Sequence, residues 1–86
     1  MRRSVRVDNS EDTAAEYDIS AVANIEGASI ITLVEGEVKN GNATLARWSR
    51  YRPETLTIRY DVAEGRDVIL KAIEAFCVNA QAAVSA

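Results

Sequence analysis

The chain has 86 residues and a mass of 9.4 kDa, room for one domain. It is 48% hydrophobic and 27% charged, with four Gly and one Pro, which excludes a disordered, collagen-like or low-complexity polymer. His is absent and Cys occurs once, so His/Cys zinc sites and Ser-His or Cys-His catalysis within one chain are excluded, and no metal or cofactor is expected.

No apolar run approaches the roughly 20 residues that a membrane span needs, so no membrane association is predicted. Arg2 and Arg3 are not followed by the apolar stretch of a signal peptide, and a lone Cys77 suits a reducing compartment. The expected location is cytoplasmic. The net charge of −3 disfavours indiscriminate attraction to nucleic acid, but its distribution is uneven. Eight acids and no base lie between Asp8 and Val38; five bases and the single acid Glu54 lie between Lys39 and Arg59.

In chain order, residues 1–17 read as an N-terminal arm or as a short extra strand or helix. Val5 and Val7 alternate with Arg6 as in an edge strand, and Ser10 is placed to cap a brief helix carrying Glu11 and Asp12 in its first turn. Residues 18–86 read as a single α+β domain. From Asp18 the period is two: Ile19, Ala21, Ala23 and Ile25 share one face of a strand. Glu26-Gly27 supplies a turn, and Ser29 to Lys39 is rich in β-branched residues, with Gly36 marking a bulge or a close backbone approach.

Asn40-Gly41-Asn42 predicts a hairpin. A three-residue loop there sets Lys39 opposite Ala43, Glu35 opposite Arg47 and Val34 opposite Trp48. Arg52-Pro53-Glu54 makes the next turn, and Leu56, Ile58, Tyr60 and Val62 alternate along a fourth strand. After Gly65 the apolar spacing becomes helical through Ile69, Ile73, Phe76, Cys77, Ala80 and Val84, predicting a helix over 66–83. The expected architecture is a four-stranded antiparallel meander with one C-terminal helix on a sheet face, in two layers.

Arg47-Trp48-Ser49-Arg50-Tyr51-Arg52 is the segment with the most function-like chemistry. Arginines interleaved with aromatics suit phosphate contacts and base stacking, so Arg47, Trp48, Arg50 and Arg52 are the candidate binding residues for nucleic acid or an anionic ligand. The same pattern also reads as core packing by Trp48 with arginines neutralising nearby acids. Glu35 and Glu37 share a strand face, for which a cross-strand ion pair is the simplest account. Cys77 lies on the apolar stripe without a base beside it and reads as a small core residue.

No constellation assigns catalysis, and an enzyme with a site at a subunit junction ranks last. Apolar residues are expected on both sheet faces, with Ile31 and Leu33 on one and Ile30, Val34 and Trp48 on the other. One helix covers one face, so a second copy is expected on the other, with Ile31, Leu33, Trp48 and Tyr51 as candidate interface residues. The leading expectation is a non-enzymatic, self-associating protein-interaction module, a homodimer; the alternative is binding of nucleic acid or an anionic ligand along the Arg/Trp strand.

Overall fold

The computed structural model describes residues 2–52 and 54–85. The elements run β1 (Arg2–Asp8), β2 (Asp18–Glu26), β3 (Ser29–Asn40), β4 (Ala43–Arg52), β5 (Thr55–Tyr60) and α1 (Arg66–Ser85). All neighbouring strands are antiparallel and lie in sequence order, β1-β2-β3-β4-β5. The helix packs on one face, giving a two-layer α+β fold with five strands rather than the four read from the sequence. Among the described residues, no helix is long and apolar enough to cross a membrane.

The fifth strand comes from the N-terminus. Arg2–Asp8 pairs along its whole length with β2, setting Val5 against Ala23 and Val7 against Ala21. Two valines are a weak local signal; the long-range ladder with β2 decides the conformation by satisfying backbone groups on both strands. Ser10, Glu11 and Asp12 lie in turns, not in a helix. Asp8 accepts from the Ser10 amide (3.0 Å) and hydroxyl (2.7 Å), and Asp12 accepts from the Ala14 amide (3.1 Å), so these side chains serve local turns.

Five register shifts, at four positions, shape the sheet. β2 is offset against β3 between Val34 and Glu37 and β4 between Leu33 and Gly36, and Glu35 sits there in the left-handed region with φ 52°. This extra residue makes a β-bulge and reverses the in–out parity of β3. Beyond it Leu33 lies opposite Arg50; on its hairpin side, a two-residue loop and an extra residue at Leu45 set Gly36 opposite Trp48 and Glu37 opposite Arg47, in place of the expected Val34–Trp48 and Glu35–Arg47 pairs. Further extra residues fall at Ile31 against β2, at Leu45 in β4 against β3, and at Tyr51 in β4 against β5.

The hairpin loop is also shorter than expected. Asn40 pairs with Ala43, leaving Gly41-Asn42 as a two-residue connection. Gly41 has φ 62°, while Asn42 is not in the positive region. A glycine at the first central position with the only positive φ matches a type II′ turn, whose twist suits the flanking strands. Pro53, the centre of the predicted 52–54 turn, lies outside the described residues.

With this register, Ile19, Ala21, Ala23, Ile25, Leu33, Val38, Ala46 and Trp48 bury themselves against Ile69, Ile73, Phe76 and Cys77 of α1. Ile30, opposite Ile25, and Leu33 thus share the helix-side face with Trp48, and Val34, opposite Val22, lies on the outer face. The expected division of apolar residues between the faces is corrected by the bulges, which no two-residue periodicity anticipates. Apart from Val22 and Val34, the outer face is mainly polar: Ser4, Asn24 and Thr32 form a hydrogen-bonded ladder across three strands (2.7 Å at each step).

Gly36 has no room for a side chain. A Cβ there falls 2.6 Å from the Trp48 carbonyl oxygen and collides with the indole carbons. Gly36→Ala is expected to destabilise the fold by about 3 kcal/mol, the upper range for overpacking against a backbone that cannot yield. Glu35→Gly relieves a left-handed non-glycine position and is expected to be neutral or to stabilise by up to about 1 kcal/mol. Urea unfolding of both variants checks the pair, and an unperturbed Gly36→Ala contradicts the register.

Candidate functional site

Two concave regions flank α1. The larger is a groove of about 730 Å³ between α1 and the β1 edge of the sheet. Its floor is Val5, Val7, Ile19 and Ile25, and its helical wall includes Ala72, Ala75, Asn79 and Ala83. These four recur at steps of three and four residues, so they form one ridge of small side chains along the helix. The groove exists because one helix, about 10 Å across, cannot roof five strands spaced about 4.8 Å apart.

The groove has opposite charges at its two ends. Asp8, Glu11, Asp12 and Glu16 line the end formed by the β1–β2 connection, and Arg3 lines the other. That acidic connection is fixed at its base by Asn9. The Asn9 amide donates to the Tyr17 carbonyl (2.9 Å), its side-chain oxygen accepts from the Ile19 amide (3.0 Å), and its backbone N–H donates to the Ile19 carbonyl (3.2 Å). The Asp8 carboxyl is held below its ordinary range mainly by the Ser10 hydroxyl and amide, so it is charged at neutral pH.

The second region is a cavity of about 300 Å³ on the opposite flank of α1, near the β2–β3 turn. Ile30, Ile31, Leu33, Val78 and Cys77 line it together with Arg50 and Arg52. Its edge is fixed by Gln81, whose amide donates to the Ala28 carbonyl (3.1 Å) and accepts from the Ile30 amide (3.0 Å). This clamp ties the last turns of α1 to the hairpin. Gln81 stands four residues after Cys77, in phase with the apolar stripe, and that misplaced polarity is the sequence signal for it.

The structure separates the residues of the Arg/Trp segment. Trp48 is enclosed at 4% exposure, edge-on to Phe76 (ring centroids 5.7 Å apart, 79° between planes), with its indole N–H donating to the Glu37 carbonyl at 3.4 Å. Its ring is a core element with no face open to an unstacked base. Arg47 is exposed on the outer face opposite Arg59, while Arg50 and Arg52 line the small cavity. Leu33 is buried at 1%; Ile31 and Tyr51 are exposed at bulges, at 39% and 55%. Leu33, Trp48, Ile31 and Tyr51 thus do not form one continuous surface. Among the described residues, no three His, Cys, Asp or Glu side chains converge as metal ligands do.

The chain matches no family model, no curated protein and no solved structure.

Cys77 is buried beside Arg50. Burial raises the thiol above its ordinary range, Arg50 pulls it part of the way back through its charge and a hydrogen bond, and Glu74 adds to the rise. The unfolded thiol ionises first as pH rises, so the contribution of Cys77 is intact below the ordinary thiol range, near pH 8.5, and falls above it. The stability difference between the wild type and Cys77→Ala is expected to be flat up to about pH 8 and to shrink above about pH 9. Urea unfolding across that range measures it; a difference independent of pH contradicts the burial of the thiol.

Proposed function

We propose that the chain is a non-enzymatic, self-associating interaction module in which a second copy fills the groove along α1. The single observation that carries this reading is the uncovered apolar strip beside β1. It is about 730 Å³ in volume, floored by valine and isoleucine and walled by a ridge of alanines. Small side chains let a second helix approach closely, and an isologous contact uses the same patch on both partners.

The charge pattern favours a copy of the same chain. Arg3 pairs with Ile25 near the β2–β3 turn, and Asp8 pairs with Ser20 at the far end of β1. Five residues of strand place these ends about 17 Å apart. A two-fold axis across the groove sets the partner's α1 antiparallel, and the acidic end of each copy then meets the Arg3 end of the other. The pairing gives the contact its orientation.

Light scattering on the full chain is expected to give twice the mass of one chain. Ala75→Arg, which places a charge on the ridge at an exposed position, is expected to return it to the single-chain mass while leaving the circular dichroism spectrum intact. Tyr51→Ala, away from the groove, is expected to leave the dimer unchanged. A single-chain mass for the wild type at every concentration overturns the reading.

A further inference from the structure

We propose that the small cavity between α1 and the ends of β3 and β4 binds a small carboxylate with an apolar tail, held by Arg50 and Arg52. The carrying observation is the position of Arg50. It lies on the helix-side face of the sheet, in register between Leu33 on β3 and Leu56 on β5, and it is half-buried. An arginine on an apolar face loses part of its hydration and needs an anion or full hydrogen bonding to offset that cost.

No acid of the chain supplies the anion. Among the described residues the ion pairs are Arg2–Glu26 and Lys39–Glu37, and neither Arg50 nor Arg52 belongs to one. The polar group beside Arg50 is the Cys77 thiol, a weak acceptor that stays neutral at physiological pH. Glu74, whose charge reaches Cys77, is exposed on α1 and makes no ion pair with Arg50. The Gln81 amide is taken up by Ala28 and Ile30. Two arginines thus line one cavity that has no carboxylate in its walls.

The remaining walls select the rest of the ligand. Ile30, Leu33 and Val78 are apolar, and about 300 Å³ is the low end of the volumes that bind small molecules. The planar guanidinium fork matches a carboxylate in a bidentate arrangement, and the aliphatic lining favours a hydrocarbon tail over a fully hydrated anion. The site is on the flank of α1 away from the groove, so it stands whether or not the chain dimerises.

The test is calorimetric titration of the full chain with acetate, hexanoate, inorganic phosphate and a short single-stranded oligonucleotide. Hexanoate is expected to bind most tightly, and Arg50→Gln is expected to weaken it about ten-fold or more. Arg52→Gln provides the same comparison should Arg50→Gln fail to fold, and Arg47→Gln, on the outer face, is expected to leave hexanoate affinity unchanged. Bound hexanoate is also expected to slow alkylation of Cys77 by neutral iodoacetamide in the wild type. The proposal is overturned by no hexanoate binding at 10 mM, by equal affinity in the arginine variants, or by tighter binding of phosphate or the oligonucleotide.

Discussion

The contact between Trp48 and the bare backbone of Gly36 sets the rest of the structure. The indole occupies the space that any side chain at position 36 would take, and it reaches that space because Leu45 adds one residue to β4 between the hairpin and Trp48. Without that bulge, the register set by the Asn40–Ala43 pair would place Trp48 opposite Glu35, and the largest side chain of the protein would lie on the outer face. With it, Trp48 turns inward against Phe76 and joins the two layers. A bulge at Leu45 and a mandatory glycine are the local costs of a sealed core.

Sealing is uneven by construction. The central strands offer small residues, Ala21, Ala23 and Ala46, beneath the bulky Ile69, Ile73 and Phe76 of the helix. This close fit draws α1 over β2, β3 and β4 and leaves the flanks of the sheet less covered. On the β1 side the result is the apolar groove; on the other flank it is the arginine-lined cavity. Both candidate sites thus follow from one mismatch, a single helix on a five-stranded sheet. They differ in chemistry because the flanking residues differ: alanines and an acidic connection on one side, Arg50, Arg52 and the Cys77 thiol on the other.

Much of the fold was legible in the sequence. The alternation of Ile19, Ala21, Ala23 and Ile25, the Asn40-Gly41-Asn42 hairpin and the helical period after Gly65 all describe elements that the structure contains. The C-terminal helix runs only two residues beyond its predicted end. Gly36 also carried its signal, since both a bulge and a close approach occur beside it. What was not legible is the consequence of the bulges. A residue added at Glu35 has no signature in hydrophobic periodicity, yet it moves every side chain beyond it to the other face. The sites were less visible still. The groove joins β1, the acidic connection and α1, which are distant in sequence; strand alternation does place Arg50 with Trp48 and apart from Arg47, but does not say which of the two faces the helix covers.

Because Trp48 is the single tryptophan, its fluorescence reports on the central contact without interference. Acrylamide quenching of the native and urea-unfolded chain is the most direct measurement. An enclosed indole against Phe76 predicts blue-shifted emission and quenching several-fold weaker in the native state. Native emission and quenching equal to those of the unfolded chain would place Trp48 on the open face and contradict the bulge on which the packing and both candidate sites depend.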